Sequence, residues 1–573
     1  MRRFIILAFV VAALTASASE SLDSLFNRLS SMKGASASQV DFTGGFAKNG
    51  PGPGFAIMRG EGKGHTKGTK IAVPQVDVDF ADGVLGVIGE KGAWGDDYYK
   101  TVAGSQTVYS IYFNEKTDSL YMIRAHFDNE PSLPFDWPFR NRYDASDSVQ
   151  VVYDVPMRQT VVDWSEALVR LYDEVRYNFV FYPGMTARWD REYHRNLEAM
   201  RDAKDDFEKL RILQRMAAAC RDGHTVVYFS SGAFETPGFS PFTTVLLPEG
   251  LYVRSVESRE LADVGMRRGQ KIVAVNGENP EAWALRELKP YVCSSTPQWT
   301  LHRMYDGYGF SRVRRGTPMT LTLENPDGKQ LTVSGKVGET QWDSSLSIRP
   351  ELNFKVVGKN IGLLTIPHFE NSETTAFFDS VFPQISATDA LIIDLRGNGG
   401  GNSGYGDYIA RHLIDRPIAT APWTTRVYNP AFTSWGRKEG TYSAPVDSMM
   451  PLDGITPYLK PVVLLTDRGT FSAAEDFTAL LKSAGRITQI GTATGGSTGN
   501  GVRTSLTGNG QIMANICSKH DLAPDGTEFV GVGLVPDIVV EESAKSYFDT
   551  KRDDLIAAAI RHLKSKSASH RNK

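Results

Sequence analysis

One serine stands where a strand pattern gives way to a helix pattern, a position that suits acyl-transfer chemistry. Ser472 follows an apolar run at 461–465 and a glycine-containing turn, and a helical pattern begins directly after it. A serine at such a junction has an exposed hydroxyl beside the first N–H groups of the helix, as a nucleophile next to an oxyanion hole requires. Ser472 and Glu475 also spell a capping box, in which the serine only satisfies helix N–H groups. Taken alone, the tetrad favours the cap.

A glycine-rich run follows a second apolar strand pattern, about seventy residues earlier. Asp394 and Arg396 end that pattern, and glycines dominate 397–401. Residues 399–404 fit the dinucleotide fingerprint only weakly, because no acidic residue ends a second strand about twenty residues later. Without Cβ atoms, a glycine loop brings its N–H groups close to a substrate carbonyl.

One histidine, His224, stands where a helical pattern gives way to a strand pattern. It lies in an Asp-Gly-His-Thr run at 222–225, between a helical pattern and the strand-like residues 226–229. Imidazole accepts a proton near neutral pH, so His224 is a candidate general base. The structural alternative is one histidine among ten at the end of a helix.

Composition excludes several classes of function. The 573 residues exceed what one core supports, so we expect three or four domains. The net charge of -3 gives no electrostatic footprint for nucleic acid. No Walker sequence, metal-binding pair or haem motif occurs, so we expect no cofactor and no metal. The three cysteines are far apart and imply no disulfide framework.

The N-terminus predicts export. Arg2 and Arg3 precede an apolar run at 4–14, and small residues at 16–18 complete the pattern of a signal peptide over 1–18. The run is too short to span a membrane, so we expect no transmembrane segment after its removal. The predicted destination is the periplasm or the cell exterior.

Hydrophobic periodicity divides the remaining chain into four parts. Alternating residues predict a β-rich domain at 19–155, with strands near 107–113 and 119–124. Helical spacing dominates 156–232 and short strands dominate 233–340. Apolar runs alternate with helical patterns at 341–565, which predicts an α/β core. The expected fold class is therefore a multidomain α+β chain.

Five segments, at 222–225, 269–277, 391–401, 470–475 and 531–538, occur in the order seen in the tail-specific, or C-terminal processing, serine peptidases. The chain resembles this family over about 161–542. The resemblance implies a ClpP/crotonase-like α/β catalytic core at 341–565 and a PDZ-like module at 233–340. It also implies that Ser472 is the nucleophile as well as the helix N-cap.

The general base differs from the processing branch of the family, which uses a lysine about twenty-five residues after the serine. Ser497 stands at that place here, and we interpret Lys482 as a solvated charge. The tricorn-like branch resembles this chain in carrying Asp-Gly-His-Thr without the lysine, which implies that His224 is the base. By the same resemblance, Glu528 is a candidate orienting group, two residues before the best-aligned position, Val530.

Other acidic residues and the PDZ-like module receive structural interpretations. We interpret Asp222 as a turn former and Glu475 as a cap. The carboxylate-binding loop of PDZ domains is absent before 246–253, so we interpret the module as a gate or scaffold.

The sequence thus predicts an exported serine endopeptidase that cleaves extended or unfolded polypeptides through a Ser472–His224 acyl-enzyme mechanism. The N–H groups of Gly400 (or Gly401) and Ala473 would hold the oxyanion. Two alternatives stay open: a non-catalytic ligand- or protein-binding protein on the same scaffold, and an interaction module of the cell envelope. The oligomeric state is not predicted.

Overall fold

The computed structural model describes residues 164–229, 237–347, 350–437, 439–507, 512–549 and 551–571, together with six strand backbones before residue 164. The chain forms two units, Met1–Val161 and Val162–Lys573. The predicted signal peptide lies outside the described residues.

The first unit is described only as strands that pair antiparallel. They are β1 (Ser36–Asp41), β2 (Lys70–Gln75), β3 (Val84–Gly89), β4 (Val108–Asn114), β5 (Ser119–His126) and β6 (Ser148–Pro156). Strands β1 and β2 form one sheet, and β3 to β6 form a second sheet in sequence order. Strands β4 and β5 are those expected near 107–113 and 119–124.

The second unit begins with three helices: α1 (Trp164–Asn178), α2 (Thr186–Asp202) and α3 (Asp206–Ala218). In α1 the buried positions recur every three or four residues, the spacing of an apolar helix face. This face packs on α2, α3 and the strand β25 (Ile512–Cys517). Asp205 is the N-cap of α3, and its side chain accepts the Glu208 N–H at 3.0 Å. It leads into the loop of His224.

Residues 237–336 form a small β module. Its antiparallel sheet has the order β14-β13-β11-β10-β9. Its elements are β8 (Pro237–Gly238), β9 (Phe242–Leu247), β10 (Gly250–Val256), α4 (Arg259–Asp263), β11 (Lys271–Val275), α5 (Pro280–Glu287), α6 (Pro297–Tyr305), β12 (Val313–Arg314), β13 (Pro318–Glu324) and β14 (Gln330–Lys336). Asn276, with a φ of 51°, makes the tight turn after β11 that the Asn-Gly pair predicts.

A six-stranded sheet forms the α/β core, with the order β15-β16-β17-β22-β23-β27. The strands from β16 onward are parallel, and β15 is antiparallel to β16. They are β15 (Asn353–Val357), β16 (Ile361–Thr365), β17 (Ala390–Asp394), β22 (Val462–Thr466), β23 (Ile487–Gly491) and β27 (Ile538–Val539). Every residue of β17 and β22 is buried, as expected of a parallel sheet covered on both faces.

Helices cover both faces of the core sheet. One face packs on α7 (Glu373–Ser386), α8 (Ser403–Arg411) and α10 (Ala473–Ser483), and the other on α12 (Asp554–Arg571). The predicted α/β alternation is confirmed. No helix in the described part of the chain combines the length and apolar character needed to cross a bilayer.

Smaller sheets flank the core, and one of them holds the loop of His224 against it. Their elements are β7 (Val226–Phe229), β18 (Ile418–Ala419), β19 (Trp423–Val427), α9 (Pro430–Ser434), β20 (Gly440–Ala444), β21 (Ser448–Met449), β24 (Gly501–Ser505), β25 (Ile512–Cys517), β26 (His520–Asp521) and α11 (Ala544–Phe548). Strand β7 pairs with β25, with Val226 opposite Asn515. This pairing attaches the helical segment to the core directly after His224.

Candidate active site

Ser472 occupies a strained position between β22 and α10. It is the N-cap of α10, with φ 56° and ψ −127°. A positive φ is unfavourable for a side chain with a Cβ, and such strain concentrates at functional sites. The Ser472 N–H donates to Glu475 Oε2 at 3.2 Å, which is the glutamate half of a capping box. The backbone is therefore capped while the hydroxyl makes another contact.

Gly400 packs against this junction so closely that only glycine fits. Its φ is 93°, and a Cβ there would lie 2.7 Å from both Phe471 O and Ser472 Cβ. The carboxyl ends of β17 and β22 bring the glycine loop and Ser472 to the same edge of the sheet. The buried Asn398 holds the loop, because its Oδ1 accepts the Gly400 N–H at 2.9 Å.

His224 lies between two serines. Its Nε2 is 3.0 Å from Ser472 Oγ, and its Nδ1 is 2.9 Å from Ser497 Oγ. Both distances are within hydrogen-bonding range. Asn515 fixes the loop, since its Nδ2 donates to His224 O at 2.7 Å. The register of β7 against β25 thus places the imidazole over the nucleophile.

Asp222 holds the turn on which His224 lies. Its Oδ1 accepts the N–H groups of His224 and Thr225, at 2.9 and 2.6 Å, which is the turn-forming role expected for it. Its Oδ2 accepts a longer bond, 3.4 Å, from Ser497 Oγ. Asp222 and Ser497 are both buried. A chain of polar contacts therefore runs from Asp222 through Ser497 and His224 to Ser472.

Electrostatics favour the neutral imidazole. Burial lowers the pKa of His224 from its ordinary 6.5, and the nearby carboxylates of Asp222 and Asp521 only partly oppose this. Nδ1 faces a hydroxyl and not a carboxylate. His224 is therefore uncharged at neutral pH, the form in which it can accept a proton.

Glu475 joins the nucleophile to the loop that carries Ser497. Besides Ser472 N–H, its carboxylate accepts Thr494 Oγ1–H at 2.5 Å, Gly496 N–H at 2.7 Å and Ser497 N–H at 3.0 Å. The side chain is fully buried. Burial raises its pKa to about 7, and the four donors act in the opposite direction. Glu475 therefore fixes the spacing between Ser472 and Ser497, a larger role than the predicted cap.

A stack of rings ties His224 to the small β module. The imidazole stacks on Phe471 at 4.7 Å between centroids, and Phe471 stacks on Trp299 of α6 at 3.8 Å. The N-terminal end of α6 also binds the Ser497 loop, since Thr296 Oγ1 donates to Gly495 O at 2.6 Å. Helix α6 thus packs against both active-site loops.

The edge strand β9 of the module's sheet is partly covered by other residues of the chain. Thr244 of β9 forms a bridge with Gly307, and Leu246 N–H donates to Asp306 Oδ1 at 3.1 Å. Arg468, in the loop before Ser472, binds both Asp306 and Leu246 O. A peptide adding a strand at this part of β9 would have to displace these contacts.

The structure does not bring all predicted site residues together. Glu528 lies outside any strand and half-exposed, 2.8 Å from His520, so it does not reach His224. The same-face reasoning fails for it because no strand alternation applies there. Lys482 contacts Asp537 and Gln489, not the site. The sequence marks Ser497 only as the residue in the place of a lysine, because its contact with His224 forms across 273 residues of the chain.

The predicted oxyanion donors differ in availability. Ala473 is the first residue of α10, so its N–H has no acceptor within the helix. The Gly400 N–H is engaged by Asn398, and an oxyanion would have to share or replace that bond. For the alternative, Gly401, no acceptor is found within the described part of the chain.

Comparison with known proteins supports the predicted resemblance. Residues 360–540 match the model of Peptidase family S41. A "Carboxy-terminal-processing protease" of Bartonella bacilliformis is 27% identical over 264 residues, which are 44% of this chain and 54% of that protein. A "C-terminal processing peptidase, chloroplastic" of Tetradesmus obliquus is 26% identical over 187 residues, 32% of this chain and 36% of that protein. The match thus spans about half of the first relative and a third of the second.

The fold is similar to that of solved structures. A crystal structure of mature CPAF has a TM-score of 0.54 and 15% identity, and the match covers 67% of this chain and 94% of that one. A structure of mature CPAF complexed with lactacystin gives 0.53 and 16%, over 70% and 97%. At such identity the likeness concerns the fold alone. Together, the family match and the two relatives confirm the resemblance to C-terminal processing peptidases.

Proposed function

We propose that this chain, whose residues 360–540 match peptidase family S41, is a serine endopeptidase in which Ser472 is the nucleophile and His224 the general base. The 3.0 Å contact between Ser472 Oγ and His224 Nε2 carries the proposal. A serine needs an adjacent base to attack at neutral pH, and a neutral imidazole supplies it. The strained backbone at Ser472 is a second supporting feature.

In the proposed reaction, Ser472 Oγ attacks the scissile carbonyl while His224 Nε2 takes its proton. The tetrahedral oxyanion is held by the Ala473 N–H, with an N–H of the glycine loop, from Gly400 or Gly401, as second donor. His224 then gives the proton to the leaving amine, and an acyl-enzyme remains on Ser472. Water, activated by the same imidazole, releases the acyl group and restores the serine.

Ser497 and Asp222 orient the imidazole in this proposal. With the proton on Nδ1, His224 donates to Ser497 Oγ, and Ser497 in turn donates to Asp222 Oδ2. This assignment leaves Nε2 as the acceptor for Ser472. When His224 becomes charged, the Nδ1–H bond strengthens, because hydrogen bonds from charged donors are stronger. Asp222 is close enough to stabilise the positive charge. Glu528 has no part in this arrangement.

Polypeptide substrates follow from the relatives' names, which describe carboxy-terminal processing. Chain on both sides of the cleaved bond has to pass Ser472, and an extended or unfolded segment does so most easily. The occupied edge of β9 supports a scaffold role for the small β module over one in holding a free C-terminus. We also propose export, on the strength of the residue pattern at 1–18.

A fluorophosphonate probe tests this proposal, because it labels only activated serines. The full chain should be labelled and should cleave an unfolded protein, and both properties should be lost in Ser472→Ala. Ser543 provides a matched control: it also caps a helix, accepting Ser546 N–H at 3.2 Å, but has no histidine beside it in the described structure. Ser543→Ala should label normally. A well-folded wild-type chain with neither labelling nor cleavage would favour the non-catalytic binding protein.

A further inference from the structure

A cavity distinct from the active site is lined by positive charge. It has a volume of about 130 Å³ and lies where α3, β7 and the small β module meet. Three arginines line it, one from α3, one from α6 and one from the loop before β12: Arg211, Arg303 and Arg312. Tyr228, Tyr291 and the buried Cys293 also line the cavity.

The three guanidinium groups have no acidic partner within the described residues. None of them forms an ion pair at 4.0 Å or less with a described carboxylate. Glu287, which acts on Arg211 through space, pairs with Arg286 at 2.8 Å instead. The carboxylates of Asp205 and Glu208 on the nearby helix are held by Arg314.

Arg211 is the fixed member of the group. It is only 8% exposed, and it donates to Gln214 Oε1 at 3.1 Å and to Arg312 O at 2.7 Å. Its guanidinium lies 4.3 Å from the centroid of the Tyr291 ring, a cation–π contact that holds its plane. No hydrogen bond from the guanidinium of Arg303 or Arg312 to a described residue is present, and solvent reaches both, since Arg303 is exposed and Arg312 half-buried.

Such a group of like charges is unfavourable without an anion. Burial lowers the pKa of both Arg211 and Arg312 to about 10, and the other two arginines lower that of Arg312 further. Of the three, only Arg211 is buried, and buried charge without a counter-ion is costly. A bound anion would offset that cost and accept charge-assisted hydrogen bonds from all three arginines.

We propose that this cavity binds a small tetrahedral oxyanion of the inorganic phosphate class. Arginine side chains line it from three elements, whereas a planar carboxylate is saturated by one or two guanidinium groups. A cavity of about 130 Å³ has room for one such ion and is too small for a folded partner.

The anion would join the helical segment to the small β module. Arg211 belongs to the helix that leads to His224, and Arg303 lies on α6, the helix whose Trp299 stacks on Phe471. Occupancy would therefore stabilise the packing of α6 near the active site, because a ligand that binds only the folded state stabilises it.

Calorimetric titration of the full chain with inorganic phosphate tests the site, with acetate and chloride at matched ionic strength for comparison. We expect saturable binding of one phosphate and none of acetate or chloride. Arg303→Gln and Arg312→Gln should each weaken phosphate binding at least tenfold, the loss expected for one charge-assisted hydrogen bond. Arg259, an exposed arginine of the same module paired with Asp343 at 2.7 Å, supplies the control. Arg259→Gln should bind phosphate like the wild type.

Two results would overturn the proposal. One is the absence of saturable phosphate binding, and another is binding that Arg303→Gln and Arg312→Gln leave unchanged, which would place the ion elsewhere.

Discussion

Ser497 Oγ lies 2.9 Å from His224 Nδ1, although 273 residues separate the two in the sequence. The contact is on the side of the imidazole opposite Ser472, so each ring nitrogen has a hydroxyl partner. In the processing peptidases that this chain resembles, a lysine is expected at the place of Ser497. Under the proposed function, the serine in that place would orient the proposed histidine base, His224.

Replacing the histidine should abolish activity. We expect His224→Ala to reduce kcat/KM for a fluorogenic peptide as severely as Ser472→Ala, because a nucleophile and its base act as a unit. Lys482→Ala serves as the comparison, since Lys482 is held by Asp537 at 3.1 Å and by Gln489 at 2.8 Å. It should remain active. Loss of turnover in Lys482→Ala with retention in His224→Ala would establish a serine–lysine pair instead.

Ser497→Ala should lower kcat by about 10- to 100-fold, because a hydrogen bond to a charged group contributes about 1.5–3 kcal/mol. KM should change little, since the bond matters most when the imidazole is charged. The neighbouring Thr498 donates to Asp521 at 2.6 Å, so Thr498→Val removes a buried hydroxyl on a different path. Steady-state kinetics of both variants check this. An equal fall in kcat for Thr498→Val would indicate a merely structural effect.

Gly400→Ala should displace the nucleophile. The new Cβ would lie 2.7 Å from Ser472 Cβ and 2.8 Å from Ala473 N, and a shift of about 1 Å at a catalytic group costs on the order of 100-fold in rate. Gly397→Ala is the matched control, because Gly397 also has a positive φ, 71°, but no heavy atom within 4 Å of its Cβ position. Gly397→Ala should therefore introduce backbone strain and no steric clash. Comparable kcat/KM values for the two variants would refute the close packing of Gly400.

The pH dependence of kcat/KM should report a neutral base. Only uncharged His224 accepts the serine proton, and burial lowers its pKa from 6.5. Activity should therefore rise with pH through an ionisation below 6.5 and then stay level at neutral pH. A profile on a fluorogenic peptide, with folding checked by circular dichroism at each pH, measures this. An acid limb near pH 7 would instead report Glu475, whose pKa burial raises to about 7.

The sequence predicted the parts of the site that local patterns encode. The strand-to-helix junction at Ser472 and the turn of Asp222 before His224 are both present. Their meeting was expected only from a family resemblance, because 248 residues separate Ser472 and His224. The core strands were recognisable because parallel strands buried on both faces form continuous apolar runs.

Contacts between distant loops could not be read from the sequence. Glu475 has the pattern of a cap, and nothing local indicates that it also binds Thr494, Gly496 and Ser497. Glu528 was placed by analogy with a strand face, but its segment is not a strand. No local motif marks the three arginines of the proposed anion site either, because they come from separate elements.

The backbone conformation of Ser472 lowers the stability of the folded protein. A serine at φ 56° and ψ −127° costs on the order of 1–3 kcal/mol, whereas glycine adopts a positive φ without that penalty. Mutation towards a more stable chain at this position therefore leads to glycine, and glycine removes the hydroxyl. Under the proposed function, laboratory evolution for heat resistance alone would therefore be expected to lose activity at residue 472.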